Sequence, residues 1–488
     1  MSSPGPSDLL AHPWFFCGIG GSGMLPLALI LKGHGASVAG SDRSRDQGRT
    51  PEKFAWLESL GFMLHPQDGS GITSAEQVLV ASAAVEDTVP EMVRARELGC
   101  HRMSRANLLS ALFNAAGTRI AVGGTSGKST VTGMLGWIMT ACGRDPTIMN
   151  GAVMKNFAGP DAPFASARVS SGVGSASGPF VSEVDESDGS IAQYQPTIAV
   201  LNNVSLDHKS LEELRELFGD FLAAADVAVI NLDDPESAAL GTRAKQPFLS
   251  FGVNNPDADI GVVAGSILDS PTGIAAMVCN RLTDETHALA LKVPGLHNLS
   301  NALAALTGAY VADVPLAEAV AALADYAGLA RRFDVVGTSA SGMTVIDDFG
   351  HNPEKVAATL ATLKAHPGRV IAFFQPHGYG PLRQMGAELA EVLANRLGPE
   401  DVTLLCDPVY FGGTVDRSVG SERIAELIRA HGGAAEYIAD RADCAARIAA
   451  LVRPGDQPAN QPPDRIVIMG ARDDTLAQFA RDVLSRLP

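Results

Sequence analysis

The feature that most constrains the fold is an opening that occurs three times: a short apolar run, a turn, and then a helix-like segment. The three openings begin at Trp14, Thr118 and Met343 of the 488-residue chain. Strand-like and helix-like segments that alternate in this way predict an α/β fold with parallel sheets. A domain has roughly 100–200 residues, so the length also indicates three domains.

The predicted boundaries lie near residues 116 and 328, which gives domains of residues 1–116, 117–328 and 329–488. Within the central domain, residues 162–178 are rich in Ser, Ala and Gly. This composition predicts a flexible surface excursion inserted into the domain.

Composition and charge exclude several classes of partner. The net charge of −17 disfavours nucleic acid and anionic membranes, which would repel the chain. Six scattered cysteines without a CxxC pair are typical of reduced thiols. We find no signal-peptide pattern and no run of about 18 apolar residues, so we expect a cytoplasmic protein with no membrane insertion.

A first Gly-rich loop follows the first apolar run and satisfies the GxGxxG pattern. Its residues of interest are Gly18, Gly20, Gly21, Ser22 and Gly23. Glycines allow a tight turn and a close approach of the backbone to a diphosphate at a helix N-terminus. Asp42 ends the next predicted strand, where such folds place an acid against a ribose hydroxyl. The pattern alone predicts a Rossmann-like N-terminal domain that binds a dinucleotide such as NAD; the alternative is a tight turn that binds nothing.

A second Gly-rich loop is a stronger signal. It consists of Gly124, Thr125, Ser126, Gly127, Lys128, Ser129 and Thr130. Its backbone N–H groups suit phosphates, Lys128 suits terminal phosphoryl oxygens, and the hydroxyl of Ser129 suits Mg²⁺. The spacing is shorter than the common GxxxxGK[ST] form because position 122 is Val. The loop predicts a central P-loop ATPase-like domain with ATP and Mg²⁺ as cofactors.

Two further positions are candidate metal ligands of the nucleotide site. Glu183 ends a predicted strand inside an acidic run, and carboxylate oxygens suit Mg²⁺. His208 follows another apolar strand. The alternatives are a solvated acidic loop and a structural histidine.

Together these motifs resemble the Mur ligase family, and most of all its UDP-N-acetylmuramate–L-alanine ligases and their murein-tripeptide-recycling relatives. The segments that carry the resemblance are GIGGSGM, SDRS, GTSGKST, SEVDESDGS, LDHKS, GLHNLSNALAA, ARRFD, IDDFGHNP and FFQPHGY. They occur in the family's order over roughly residues 15–380, and as a set they are specific to it.

The resemblance implies a role for each domain. The N-terminal domain would bind a UDP-sugar, with residues 18–23 and Asp42 joined by Ser82 and Arg105 in its pocket. The central domain would bind ATP, with Ser129, Glu183 and His208 around magnesium. The C-terminal domain, expected to be Rossmann-like, would bind the amino acid.

Further positions of the ATP site and the reaction centre also follow from the resemblance. Asn298 and Asn301 would receive the adenine, Arg332 would reach the phosphates and Asp348 would lie near the ribose. His351 would lie close to the new bond. The implied catalytic residues are Lys128, Glu183, His208, Arg332 and His351.

The implied reaction is an ATP-dependent ligation. The carboxylate of UDP-N-acetylmuramate would attack the γ-phosphorus of ATP, and the amine of an amino acid, by default L-alanine, would attack the resulting acyl phosphate. The product would be a precursor of peptidoglycan. The oligomeric state does not follow from the sequence.

The chain departs from the family pattern at several positions. Ser126 replaces a usual His and Ser129 a usual Thr, whose hydroxyl it keeps. Asn352 replaces a second His and Gly378 replaces an Arg, while the segment that contains Arg472 carries unusual charges. The last three changes lie in the domain that selects the incoming amine. A different amino acid or a recycled murein peptide is therefore the alternative acceptor.

Two hypotheses from other classes follow from single features. The GxGxxG loop alone would suit an NAD-dependent oxidoreductase, which leaves the second Gly-rich loop and the acidic run without a function. The replacements at Ser126 and Gly378 would suit a catalytically silent nucleotide-binding protein, which has no need for Lys128, Glu183 and His208.

Overall fold

The computed structural model describes residues 11–83, 85–172, 178–205, 209–409, 416–452, 462–471 and 473–488. It divides into two compact units, Met1–Gly328 and Leu329–Pro488. The α/β architecture with parallel sheets that the sequence predicts is confirmed. In the described ranges, no helix is both long and apolar enough to cross a membrane.

The first sheet of the first unit is parallel and has the strand order β3-β2-β1-β4-β5. Its strands are β1 (Trp14–Cys17), β2 (Val38–Ser41), β3 (Met63–His65), β4 (Val78–Ala81) and β5 (His101–Ser104). The helices are α1 (Leu25–Gly33), α2 (Arg43–Asp46), α3 (Pro51–Ser59), α4 (Pro90–Leu98) and α5 (Arg105–Asn114). The connection after β1 runs one way and the connection after β4 runs the other way. The carboxyl ends of β1 and β4 are therefore the switch point of the sheet, where α/β folds of this kind form a ligand crevice.

The second sheet of the first unit has the order β14-β15-β13-β12-β11-β10-β6-β9-β7-β8, with β16 paired to β15. Its first strands are β6 (Arg119–Gly123), β7 (Thr147–Met149), β8 (Ala167–Arg168), β9 (Phe180–Glu183), β10 (Ile198–Leu201) and β11 (Val227–Asn231). The others are β12 (Phe248–Gly252), β13 (Ile260–Val262), β14 (Leu268–Ser270), β15 (Gly273–Asn280) and β16 (Glu285–Leu291). The helices are α6 (Lys128–Ala141), α7 (Leu211–Ala223), α8 (Pro235–Arg243), α9 (Leu296–Val311) and α10 (Leu316–Leu323).

Alternation along β6 explains why helices cover both faces of this sheet. Ile120 and Val122 are buried in one core with α6, α9 and α10. Ala121 is buried in another core with α7 and α8. Neighbouring residues of a strand point to opposite faces, so a continuous apolar run becomes a strand buried on both sides.

The segment predicted as a surface excursion is partly built into the sheet. Ala167–Arg168 form β8, which pairs antiparallel with β7. Nearby, the indole of Trp56 in α3 donates to the carbonyl of Asp161 at 2.9 Å and packs on Phe164. The Ser-, Ala- and Gly-rich composition of the segment concealed this anchor. Residues 173–177 of the predicted excursion lie outside the described residues.

The second unit holds the sheet with strand order β17-β18-β22-β19-β20-β21. Its strands are β17 (Asp334–Thr338), β18 (Thr344–Asp348), β19 (Val370–Gln375), β20 (Val402–Leu405), β21 (Ala435–Tyr437) and β22 (Arg465–Gly470). The helices are α11 (Pro353–Lys364), α12 (Tyr379–Arg396), α13 (Ser421–Ala430), α14 (Arg441–Leu451) and α15 (Leu476–Ser485). β18 to β22 are parallel, and β17 adds an antiparallel edge. Helices α11–α13 cover one face and α14 and α15 cover the other.

The predicted boundary at residue 116 lies inside the first unit. Residues on both sides of it share one core, to which Phe113, Phe180 and Tyr194 belong. The three-domain boundaries therefore remain a prediction.

Candidate active site

The second Gly-rich loop connects β6 to α6 in the middle of the second sheet. The carboxyl ends of β9 and β10 lie on either side of it, because both strands run parallel to β6. Side chains that follow these three strands therefore meet at one edge of the sheet. Gly124 and Gly127 both have positive φ, +136° and +81°, which allows the turn to fold back over that edge.

Asparagines at the end of β10 hold this loop in shape. Asn203 accepts the N–H of Ser126 at 2.8 Å and the hydroxyl of Thr125 at 3.0 Å. Its amide donates to the carbonyl of Ser126 at 3.1 Å. Asn202 donates to the same carbonyl at 3.0 Å. These bonds fix the loop before any ligand binds, which preorganises its backbone.

The cation of the loop is already paired. The Nζ atom of Lys128 donates to the carbonyl of Gly124 at 2.7 Å and to Oε2 of Glu186 at 2.6 Å. The Glu186 side chain is 7% exposed and that of Lys128 is 18% exposed. A pair this close and this shielded from water is a strong charge-assisted hydrogen bond.

Ser129 and Glu183 lie next to each other at the start of α6 and the end of β9. The hydroxyl of Ser129 donates to Oε2 of Glu183 at 2.7 Å. The other carboxylate oxygen of Glu183 accepts the N–H of Gly151. This places a hydroxyl and a carboxylate, both hard oxygen donors, beside the phosphate loop.

The predicted adenine residues lie in the first turns of α9 and are buried. Oδ1 of Asn301 accepts the amide of Asn202 at 3.0 Å, directly behind Gly127. The amide of Asn298 donates to the carbonyl of Pro294 at 2.7 Å. The bond between Asn202 and Asn301 braces the phosphate loop against α9, and contact with adenine remains a prediction for both Asn298 and Asn301.

The first Gly-rich loop lies at the crevice of the first sheet. Gly20 donates its N–H to Oδ2 of Asp42 at 2.8 Å, and Ser44 donates its N–H to Oδ1 at 2.8 Å. Both oxygens of this buried carboxylate thus shape the loop and cap α2. Contact of Asp42 with a ribose remains a prediction.

Two more predicted pocket residues lie at the same crevice. Ser82 directly follows β4, and Arg105 begins α5. The guanidinium of Arg105 lies beside Gly23, 3.0 Å from the position that a Cβ atom would take there. It also pairs with Asp185 at 3.5 Å and Asp188 at 3.4 Å.

In the second unit, Asp348 is part of the scaffold at the end of β18. Its carboxylate accepts N–H groups from Phe333 and Gly350, each at 2.8 Å, and the hydroxyl of Thr359 at 2.9 Å. Arg332 stacks on Phe349, with 4.4 Å between the guanidinium carbon and the ring centroid. Their contacts with ribose and phosphate remain predictions.

Two histidines face each other after β18 and β19. The rings of His351 and His377 are 5.0 Å apart between centroids and almost perpendicular. Burial, with a smaller contribution from the charge of Lys355, lowers the pKa of His351 to about 3. Nδ1 of His351 lies 3.0 Å from the carbonyl of Phe349. A carbonyl only accepts, so we assign the proton to Nδ1 and leave Nε2 as an acceptor.

Comparison with known proteins finds three family models that match successive parts of the chain. Residues 15–116 match the family model described as "Mur ligase family, catalytic domain", residues 122–309 match "Mur ligase middle domain", and residues 331–472 match "Mur ligase, glutamate ligase domain". A UDP-N-acetylmuramate–L-alanine ligase from Geobacter sulfurreducens is 33% identical over 452 residues, which are 90% of this chain and 92% of the relative. The chain belongs to the Mur ligase family.

Solved structures show that this Mur ligase shares the fold of characterised members. The UDP-N-acetylmuramate–alanine ligase MurC from Thermotoga maritima has a TM-score of 0.74 and 24% identity, and covers 97% of this chain and 99% of its own. A murein peptide ligase from Psychrobacter arcticus has a TM-score of 0.70 and 23% identity, with 98% of both chains covered. Family membership also removes the support for the oxidoreductase hypothesis.

Several residues of this Mur ligase's site were not assigned from the sequence. Glu186 pairs with Lys128 across 58 positions, and Asn203 holds Ser126 across 77 positions. The acidic run was visible, but which of its carboxylates meets the lysine depends on the turn that follows β9. His208 and Arg472 lie outside the described residues.

Proposed function

We propose that this Mur ligase joins L-alanine to the carboxylate of UDP-N-acetylmuramate, with ATP as the energy source, in the synthesis of peptidoglycan precursors. The relatives that span nine-tenths of the chain carry this name. The observation that carries the proposal is the arrangement of Lys128, Ser129 and Glu183 around one phosphate loop. The cytoplasm is the proposed location of the reaction, and the substrates, ATP and a UDP-sugar, support it.

The first step activates the sugar carboxylate. A carboxylate oxygen forms a bond to the γ-phosphorus of ATP, the bond to the β,γ-bridging oxygen breaks, and ADP leaves. Lys128 and the backbone N–H groups of the loop would neutralise charge on the transferring phosphoryl group. Arg332 is proposed to act on the same phosphates.

The second step forms the amide. The amine of L-alanine attacks the carbonyl carbon of the acyl phosphate, the bond from that carbon to the phosphate oxygen breaks, and the departing phosphate takes the proton that the nitrogen loses. His351 is neutral at pH 7, and its Nε2 would accept a hydrogen bond from the amine. The low pKa makes this imidazole an orienting acceptor rather than a strong base.

Mg²⁺ fits the donors at the start of α6. Ser129 and Glu183 would hold it, since their oxygens lie 2.7 Å apart beside the phosphate loop, and His208 is a further proposed ligand. Among the described residues, no group of three or more His, Cys, Asp or Glu is arranged to hold a metal ion. Mg²⁺ is commonly held by one or two protein ligands together with substrate phosphates and water. It would supply positive charge against the triphosphate.

A different amine remains the second candidate. Asn352 caps α11, where its side chain accepts the N–H of Lys355 at 2.9 Å. Gly378 precedes α12 with φ of +142°, a conformation that disfavours the usual arginine of the family. Both departures lie at the carboxyl edge of the sheet in the second unit, and both favour another amino acid or a murein peptide as the acceptor.

The test is phosphate release from ATP with Mg²⁺, UDP-N-acetylmuramate and each common amino acid in turn. We expect release that requires the UDP-sugar together with L-alanine. Lys128→Met should lower kcat by about 10²–10³, because it removes a charge from the phosphoryl site. Lys292→Met, which breaks an exposed ion pair with Asp325, is the matched control and should leave kcat unchanged.

Other outcomes would change the assignment. Release with a murein peptide and not with L-alanine would establish the second candidate. Release that is equally fast in Lys128→Met would contradict the proposed phosphate site. An enzyme that binds ATP but releases no phosphate with any acceptor would favour the silent nucleotide-binding protein.

A further inference from the structure

Residues 185–188 contact Lys128 of the phosphate loop and Arg105, which lies beside the first Gly-rich loop. Glu186 pairs with Lys128 of the phosphate loop at 2.6 Å. Asp185 and Asp188 pair with Arg105, whose guanidinium lies beside Gly23 of the first loop. One short acidic segment therefore bridges the two proposed ligand sites of the first unit.

The pair of Lys128 and Glu186 competes with a phosphate for the same ammonium group. An ammonium has three N–H donors, and two of those of Lys128 point to Gly124 and Glu186. One donor is left for phosphate, so holding the β- and γ-phosphates with separate hydrogen bonds requires Lys128 to give up its bond to Glu186 or to Gly124. The cost is a buried charge-assisted hydrogen bond, which opposes binding of a triphosphate.

The same competition exists at Arg105. Its guanidinium faces two carboxylates that a diphosphate would have to displace. The segment thus presents negative charge to both cations.

The segment is anchored internally, so its carboxylates are expected to move together. Oδ1 of Asp185 accepts from Ser187, and Oδ1 of Asp188 accepts the N–H of Ser190. The hydroxyl of Ser190 returns to the carbonyl of Asp185 at 3.3 Å. A shift that frees Arg105 therefore also disturbs the contact between Glu186 and Lys128.

We propose that residues 185–188 are a built-in anion that occupies the cations of both ligand sites and so couples ATP binding to UDP-sugar binding. The inference rests on the proposed function, since it assumes those two ligands. Each ligand displaces part of the segment, and the displacement lowers the cost of binding the other. Coupling of this kind is reciprocal by thermodynamic necessity.

The experiment is calorimetric titration of the full-length enzyme with the magnesium complex of adenosine 5′-(β,γ-imido)triphosphate. We expect saturating UDP-N-acetylmuramate to tighten binding of this analogue to the wild type by about fivefold or more. In Glu186→Gln, the analogue should bind about tenfold tighter without the sugar, as expected for one competing charge-assisted bond. The sugar should then add little.

Two controls separate competition from damage to the site. AMP lacks the β- and γ-phosphates, so its affinity should be equal in wild type and Glu186→Gln. Glu236→Gln removes a carboxylate that pairs with Arg215 at 2.6 Å in the same unit, and it should change neither affinity nor coupling.

The outcomes are distinguishable. A wild-type enzyme that binds the analogue without any effect of the sugar would overturn the inference, and this measurement needs no variant. Unchanged or weaker analogue binding in Glu186→Gln would overturn it as well. A wild-type enzyme that binds no analogue at all would instead contradict the proposed function.

Discussion

At the scale of single residues, His351 shows how burial sets the chemistry of a side chain. The folded chain lowers the pKa of this imidazole from 6.5 to about 3, chiefly by burial and then by the charge of Lys355, with smaller effects from His377 and Arg332. Between these two pKa values the unfolded chain binds a proton that the folded chain does not. Stability therefore falls as the pH falls from 6.5 towards 3.

We predict that His351→Asn makes the enzyme less sensitive to acid. The wild type should lose free energy of unfolding between pH 7 and pH 5, by at most about 1.4 kcal/mol per pH unit from this one proton. The variant lacks that contribution, so its thermal midpoint should fall less over the same range. Circular dichroism during thermal unfolding at both pH values measures the difference.

The control for this prediction is His431→Asn, which removes an exposed histidine that follows α13. It should show the same loss between pH 7 and pH 5 as the wild type. Equal pH sensitivity in His351→Asn and the wild type would show that burial does not hold this imidazole neutral.

Contacts between distant residues explain what the sequence could not predict at this scale. Lys128 and Ser129 belong to a contiguous motif, so their position at a phosphate loop could be predicted from the sequence. Glu183 required only the rule that parallel strands end at one edge. Glu186 and Asn203 reach the loop through turns whose course depends on packing of the whole sheet. Asp42 was recognisable as the acid at the end of the second strand, but its two hydrogen bonds from backbone N–H groups were not predictable.

At the scale of elements, the turn from β6 to α6 depends on a glycine. Gly127 has φ of +81° and precedes the first residue of α6. A Cβ atom there would lie 2.5 Å from both the amide nitrogen of Asn202 and Oδ1 of Asn301. A side chain at this position would therefore push apart the asparagines that hold the loop against α9.

We predict that Gly127→Ala destabilises the first unit by about 3 kcal/mol and abolishes binding of the ATP analogue. The loss combines roughly 1–2 kcal/mol for positive φ with the cost of displacing the two buried asparagines. Gly143→Ala is the matched control because Gly143 follows the same helix with φ of +73° and open space around it. Gly143→Ala should lower stability only by the contribution from positive φ, and it should leave nucleotide binding intact.

Chemical denaturation and calorimetric titration of both variants test this prediction. Equal losses of stability in Gly127→Ala and Gly143→Ala would show that the asparagines yield without cost. Nucleotide binding that survives in Gly127→Ala would contradict the view that the loop must stay closed against α9.

Helices and strands were largely predictable where the pattern of apolar residues and the turn residues beside it indicate the same element. Strands β1, β6, β9, β10, β18 and β19 lie where apolar runs end in polar or glycine-rich turns. The edge strand β8 was missed because it has two residues and lies in a Ser- and Gly-rich segment. Pairing with β7, rather than local preference, makes it a strand.

At the scale of the whole molecule, the first unit is held together by a core that crosses the predicted boundary at residue 116. The ring of Phe113 packs edge-on against Phe180 at 5.6 Å and Tyr194 at 5.2 Å. Hydrogen bonds continue the contact, since Asn114 donates to the carbonyl of Gln193 at 2.9 Å. A boundary read from composition cannot reveal this, because a shared core leaves no signal in either segment alone.

We therefore predict that residues 1–116 unfold at a lower temperature as a separate fragment than they do within a fragment of residues 1–328. Removing the partners exposes Phe113, which is fully buried in the intact unit, and burial of such a ring contributes about 1.5–3 kcal/mol. A fragment of residues 329–488 keeps its cores on both faces of its sheet and is the control that should fold alone. Circular dichroism and limited proteolysis of the three fragments measure the unfolding temperatures.

If residues 1–116 unfold at the same temperature alone as within residues 1–328, the shared core contributes little. The N-terminal segment is then an autonomous domain whose contact with the central segment can open during catalysis. If they unfold at a lower temperature, the first unit behaves as one cooperative body. Residues 185–188 then lie inside a single packed unit. This is the condition under which a ligand bound at one Gly-rich loop can change the affinity of the other loop for its ligand.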